Sequence, residues 1–338
     1  MKILKKLRII LIIIIIFILR IINSFNNKKF EEFDISELEV DFLKELNFEN
    51  YEKSTYSDID IIKIDSDTVQ GYHFKPKNIT KNKTIITFSG SDGGILDLQS
   101  AFLAKNGYDV YAMYYFNNKN LPKYLEEIEI TNFDNITNYI EKEKNEKLNY
   151  TIIGASKGAE LSLLLGNYYS NIDNIILYSP TSYNFQGLSD NMRYSKPSFV
   201  YNGKELNYLK FNEGSFGSYI KFLVNMLLNK PIEYKIFYDD IVDNSKNIDD
   251  YLIPFENNKS KILIFTGDDD KVWNSSEMAK IIKENIKDNC FVNIYEGVGH
   301  IFLAPRIFKG LLNGGNLEAN KKAFIDSNEK LLEFLNEN

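Results

Sequence analysis

Cysteine is all but missing from this 338-residue chain, where Cys290 stands alone. That excludes an internal disulfide and any multi-cysteine zinc or iron–sulfur centre. Cys290 itself is expected to pack as a small apolar residue in the strand that also holds Phe291. Arginine is scarce as well. Only Arg8, Arg20, Arg193 and Arg306 occur, the first two near the N-terminus, which leaves few bidentate clamps for a heavily phosphorylated ligand. Histidine occurs twice, as His73 and His300. With a net charge of −7, the chain carries no surplus of positive charge to bind nucleic acid. Neither G-x-x-x-x-G-K-[ST] nor G-x-G-x-x-G is present, so no standard phosphate or dinucleotide loop is expected. Internal repeats are absent too.

What is there suits a large α/β domain: 44% hydrophobic and 14% aromatic residues, ample for a core. The chain opens with Lys2, Lys5, Lys6 and Arg8 ahead of the unbroken apolar run Ile9 to Leu19, the pattern of an export signal. No small-x-small cleavage site and no lipobox cysteine follow. Residues 1–25 are therefore expected to be an uncleaved anchor with Arg20 at the far interface and the folded domain outside the cell. The run is short of the roughly 20 residues of a membrane span, so cleavage and secretion, or an interfacial position, are the alternatives. Residues 26–58 read as a linker with room for one helix, and 59–338 as the folded domain.

Within that domain, strands alternate with helices, which predicts a mostly parallel sheet with helices on both faces. A β-hairpin over Ile59 to Phe74 leads into a strand over Thr84 to Phe88. Pro122 to Glu146 carries a long helical pattern through Leu125, Ile128, Phe133, Ile136 and Ile140. Over 181–258 the alternation stops. There Tyr219, Phe222, Leu223, Met226 and Leu227 recur at helical spacing, and the segment is expected to be an insertion that covers the site as a lid; the alternative is an apolar face packed on the sheet. A last helix is predicted over Lys321 to Leu335.

The chemistry concentrates at Gly154-Ala155-Ser156-Lys157-Gly158. An apolar strand precedes it and a leucine-rich helix follows, the context that a G-x-S-x-G nucleophile elbow requires. The alternative is a tight βα turn in which Ser156 merely caps the helix. A serine nucleophile needs a base. His73 sits inside an early strand, whereas His300 follows the last strand behind small residues in Gly297-Val298-Gly299-His300. The orienting acid is expected between serine and histidine, at a strand end. Gly267-Asp268-Asp269-Asp270 offers three, of which Asp270 is the first choice and Asp269 the second. Ser89-Gly90-Ser91-Asp92-Gly93-Gly94 follows an early strand, where an oxyanion donor belongs. The backbone N–H groups of Ser91 and Lys157 are the candidates, with the Lys157 side chain expected to point into solvent. Serine, acid and histidine in this order are the α/β-hydrolase arrangement.

Phe88 to Gly94, Gly154 to Leu161, Gly267 to Ser276 and Gly297 to Phe302 resemble the catalytic domain shared by acyl-CoA thioesterases and bile acid-CoA:amino acid N-acyltransferases. Ser-Lys-Gly-Ala-Glu at the elbow and Trp273-x-Ser275-Ser276 are its most specific parts. The resemblance spans about 59–335. It implies Ser156 as nucleophile, Asp270 as acid and His300 as base; no cofactor is expected, and the aspartate triplet lacks the nearby histidines of a metal site. The family's acyltransferases use cysteine as nucleophile, so Ser156 favours hydrolysis over acyl transfer. Residues 26–58 are too few for the N-terminal β-sandwich of the mammalian members, and Asn274 stands where proline is usual. The expected activity is hydrolysis of a small-molecule acyl thioester through an acyl-enzyme. The alternatives are a membrane-anchored carboxylesterase or lipase acting on a lipid or acylated envelope substrate, and an inactive hydrolase fold that serves as a binding protein.

Overall fold

The computed structural model describes residues 58–190, 195–228 and 230–338. The segment expected over 1–25, and the linker after it as far as Ser57, lie outside the described residues. Eight segments form the strands β1 (Ile59–Asp65), β2 (Gln70–Pro76), β3 (Thr84–Phe88), β4 (Asp109–Met113), β5 (Tyr150–Ala155), β6 (Ile172–Tyr178), β7 (Lys261–Gly267) and β8 (Cys290–Tyr295). They join in one sheet of order β1-β2-β4-β3-β5-β6-β7-β8. The two junctions that involve β2 are antiparallel and all others parallel.

Side chains alternate across the sheet with the period of two that a strand imposes. Ile86, Ile152 and Ile264 face one way, into a cluster with α2 (Phe133–Lys144), α3 (Lys157–Tyr168) and α6 (Ser275–Ile286). Ile85, Ile153 and Leu263 face the other way, against α1 (Asp97–Lys105) and α7 (Leu317–Glu337). Both faces are covered, so the central strands read as continuous apolar runs rather than alternating ones. Such an α/β sheet with helices on both faces is the architecture that the sequence predicts.

The strand order reverses between β3 and β5. The chain winds from β3 outward to β4, then returns to β5 and winds the opposite way through β6, β7 and β8. Open α/β sheets bind ligands beyond the carboxyl ends of their strands at this kind of switch point. The loops after β3 and β5 flank it directly.

Two expectations need correction. The helix predicted over Pro122 to Glu146 begins only at Phe133. Leu125 instead bridges to Leu188, and Ile128–Glu129 pairs with Phe199–Tyr201 in a small three-stranded ribbon. Glu127 turns the chain at φ 50°. Pairing with the insertion has overridden a helical spacing that carried no information about its partner. The C-terminal helix also starts earlier than Lys321, at Leu317, because Asn316 caps it by accepting from the Ala319 N–H at 2.9 Å.

The segment over 181–258 holds two helices, α4 (Phe216–Leu227) and α5 (Lys235–Asn244), where the sequence singled out one. Phe199, Ile253 and Phe255 of this segment join the sheet cluster of Ile86, Ile152 and Ile264. Tyr183, Phe185, Leu209, Tyr238 and Ile241 build a separate core with Trp273 and Met278 from the region after β7. Helix α4 rests on α5 through Phe222, whose ring centroid lies 5.5 Å from that of Tyr234 and 5.8 Å from that of Phe237. Its other side presents Phe216, Ile220, Val224 and Leu227 to solvent, with Phe216 79% exposed. Among the described residues no helix is long and apolar enough to cross a membrane.

Candidate active site

Ser156 sits between β5 and α3 with φ 55° and ψ −117°. That conformation is costly for a residue with a side chain, on the order of 1–3 kcal/mol, and persists only where the surroundings enforce it. Glycine supplies the enforcement. A Cβ on Gly154 would overlap the Gly158 carbonyl, and one on Gly158 would overlap the carbonyl oxygens of Ser89 and Phe88. The strand, the helix and the loop after β3 therefore approach as closely as backbones can. Gly90 lies directly against the serine: a Cβ there would stand 3.2 Å from Ser156 Cβ and 3.6 Å from its Oγ. Tyr115 pins this loop by donating its hydroxyl to the carbonyls of Ser89 and Gly90 at 3.0 and 3.1 Å. Ser91, the expected donor, is the exposed residue that follows Gly90.

At the end of β7 the three aspartates have three separate partners. Asp268 accepts from the Gly297 N–H at 2.7 Å. Asp269 pairs with Lys271 at 2.8 Å and with Arg306 at 2.7 Å, and accepts from the Gly315 N–H. Only Asp270 turns inward, where its Oδ2 lies 2.8 Å from His300 Nδ1. Both residues are buried, Asp270 almost completely. The remaining acceptor capacity of Asp270 is filled by the N–H groups of Val272 and Trp273 at Oδ1 and by Ser275 Oγ at Oδ2. A carboxylate beside Nδ1 favours the tautomer with its proton on Nδ1, leaving Nε2 as the free acceptor.

The loop that carries His300 is tied at several points. Its N–H donates to the Asn313 carbonyl at 3.0 Å, and its carbonyl accepts from Ser179 Oγ at 2.7 Å. Ser179 follows Tyr178, whose carbonyl accepts the Ser156 N–H at 2.9 Å. Trp273 donates its indole N–H to the Ser179 carbonyl at 3.1 Å, and its ring meets the His300 imidazole edge-on at 5.3 Å. The end of β6 thus joins the serine turn to the histidine–aspartate pair. Trp273 and Ser275 bond this pair although the sequence reading gave them no task. Their signal was the Trp-x-Ser-Ser stretch itself.

His73 lies elsewhere. On β2, beside the amino end of β4, its Nε2 stands 2.6 Å from Asp109 Oδ1 and its ring stacks on Tyr111 at 4.1 Å. It is a satisfied strand histidine.

One expectation is overturned at the elbow. The Lys157 side chain does not point into solvent; it is 1% exposed. Its Nζ bonds Glu160 Oε2 at 2.6 Å and Ser198 Oγ at 2.7 Å. Burial lowers the Lys157 pKa and raises that of Glu160, each partly offset by the other. Glu160 lies on the same helix, but Ser198 and Phe185, which also cover the lysine, come from the insertion, so in sequence it looks exposed.

Residues 128–338 match the sequence profile of the family described as BAAT / acyl-CoA thioester hydrolase C terminal. Acyl-coenzyme A thioesterase 5 of Mus musculus is 26% identical over 266 residues, 74% of this chain and 58% of its own length. Acyl-coenzyme A thioesterase 1 of Homo sapiens is 24% identical over 283 residues, 79% of this chain and 62% of its own. The chain thus spans about three-fifths of these relatives. The acylaminoacyl peptidase of Pyrococcus horikoshii superposes with a TM-score of 0.51 at 11% identity, over 83% of this chain and 42% of its own. That similarity concerns the fold.

Proposed function

Since the chain belongs to the BAAT / acyl-CoA thioester hydrolase C-terminal family, we propose that it is a serine hydrolase cleaving acyl thioesters through an acyl-enzyme. One observation carries this reading. A serine held in a strained turn and a buried histidine–aspartate pair are bonded to adjacent residues, Tyr178 and Ser179, at the end of one strand. In the proposed mechanism His300 Nε2 takes the Ser156 proton as Oγ attacks the acyl carbonyl. Asp270 holds the imidazole in its tautomer and stabilises the imidazolium. The oxyanion meets the N–H groups of Lys157 and Ser91, each contributing on the order of 3 kcal/mol. His300 then protonates the leaving thiolate, and a water activated by the same imidazole releases the acid.

A second reading, a carboxylesterase or lipase at a membrane, is favoured by α4. Its exposed apolar side is bordered by exposed Lys221 and Lys230, a combination suited to an anionic lipid surface. In this reading residues 1–25 anchor the chain and the domain lies outside the cytoplasm.

The full chain and its Ser156→Ala variant, assayed against acyl-CoA thioesters and p-nitrophenyl esters of several chain lengths, test both. Thioester turnover that disappears in the variant supports the first reading, and turnover of esters alone the second. If the wild-type chain cleaves neither, the reading of an inactive hydrolase fold that serves as a binding protein gains. If the variant stays active, Ser156 is not the nucleophile.

A further inference from the structure

The least expected feature of the molecule stands immediately beside Ser156. Lys157 and Glu160 form an ion pair in which both side chains are 1% exposed. Such pairs are costly. Removing an ammonium and a carboxylate from water costs several kcal/mol per ion, and their attraction often does no more than offset it. Lys157 is also the first residue of α3, where a cation opposes the helix dipole. Stability alone would be served as well by two apolar side chains.

The placement of the pair supplies a different role. Lys157 Nζ reaches Ser198 Oγ, Ser198 Oγ donates to the Phe185 carbonyl at 3.0 Å, and Glu160 Oε1 accepts the Phe185 N–H at 3.4 Å. Glu160 of α3 thus holds the Phe185 N–H directly, and Lys157 of α3 reaches the Phe185 carbonyl through Ser198, which like Phe185 belongs to the insertion. Its ring lies nearly parallel to Trp273, 6.2 Å between centroids and 11° between planes, with Nζ of Lys157 5.7 Å from its centroid. Trp273 in turn meets the imidazole of His300, and its backbone N–H donates to Asp270. A continuous path runs from the residue after the serine, through Phe185 and Trp273, to the histidine and its acid.

We propose that the Lys157–Glu160 pair is a positioning device: by clamping Phe185 it presses Trp273 against His300 and sets the imidazole for Ser156. The proposal rests on the reading that Ser156 and His300 act together. It makes the insertion part of the catalytic geometry and not only a cover.

The test replaces the whole pair, as Lys157→Met with Glu160→Leu in the full chain, because an uncharged pair leaves no buried ion behind. The readouts are melting temperature, kcat, KM and the rate at which an alkyl fluorophosphonate labels Ser156. The expected result is an unchanged or higher melting temperature, kcat and labelling lower by ten- to a hundredfold, on the order expected of misplaced reacting groups, and KM within about twofold. Ser198→Ala, which leaves the pair intact and loosens only its hold on the insertion, is expected to lower kcat and labelling about threefold at unchanged KM. Should the double variant not fold, this second variant decides. Wild-type kcat and labelling in whichever folded variant is measured overturn the proposal while the hydrolase reading stands. A wild-type chain that neither turns over nor is labelled overturns both.

Discussion

Ser275 donates its hydroxyl to the oxygen of Asp270 that also faces His300, with Oγ 2.6 Å from Oδ2. Thr266 Oγ1 lies 2.5 Å from the same hydroxyl, so the Asp270 carboxylate is fixed in its plane by groups from β7 and from the first turn of α6. All three side chains are buried. Ser275→Ala should cost about 1–2 kcal/mol in stability, since Thr266 and Asp270 each lose a partner. It should also lower kcat about tenfold at unchanged KM, because the acid no longer holds one orientation. Denaturant melts and steady-state kinetics check both.

The aspartate triplet separates under substitution. Asp270→Asn is expected to lower kcat by about 10³- to 10⁴-fold, since an amide facing Nδ1 favours the wrong tautomer. Turnover on the substrate found active for the wild type measures it.

Asp269→Asn should read out in acid stability instead. Burial raises the Asp269 pKa, but the bonds from Lys271, the Gly315 N–H and Arg306 outweigh it and carry the carboxyl from the ordinary 3.8 to about 2. A depressed folded-state pKa adds stability that is fully present above 3.8 and is lost as pH falls through about 2. The melting temperature of Asp269→Asn should lie below that of the wild type at pH 6, and the gap should close between pH 3.8 and 2. A gap that stays constant with pH would remove the ion pairs as its cause.

Gly158→Ala and Gly297→Ala form a contrasting pair. At Gly158 the added methyl runs into the backbone carbonyls of Phe88 and Ser89, so the loop against Ser156 must retreat. Overpacking of this kind costs on the order of 1–3 kcal/mol, and turnover should fall by about a hundredfold. At Gly297 nothing lies within 4 Å, and only the positive φ of 66° is strained. That change should cost about 1 kcal/mol and leave the elbow in place. Melting curves with kcat for both variants read the difference.

If the lipid-surface reading holds, Phe216→Ser combined with Leu227→Ser should abolish the gain in turnover on an ester dispersed in vesicles containing phosphatidylglycerol. Hydrolysis of a soluble short-chain ester should stay within about twofold, because neither side chain belongs to the core that holds Trp273. Equal losses on both substrates would count against a surface role for α4.

What could be read from sequence is what local chain chemistry specifies. The elbow is one strand, two glycines and one helix in succession. The central strand bounds follow from apolar runs that both sheet faces bury, and the predicted bounds of β3 coincide with those observed. Asp270 could be ranked above its neighbours only because it lies farthest past the strand end. What sequence could not convey depended on residues brought in from afar. Lys157 is buried by Ser198 and Phe185, and the stretch before Phe133 is drawn out of a helix by strand partners in the insertion. In both cases the same insertion supplied the missing half, and its own pattern of aromatics and short elements resisted a periodic reading.

Cys290 has a consequence of its own. It is the single thiol of the chain, fully buried at the start of an edge strand, with its pKa pushed by burial to about 12. In the folded protein it is neither a nucleophile nor accessible. Once β8 peels from β7 it becomes both. The chain thus carries an intrinsic clock: the rate at which a maleimide finds Cys290 times the opening of this sheet edge, with no label introduced and no second thiol to confuse the signal.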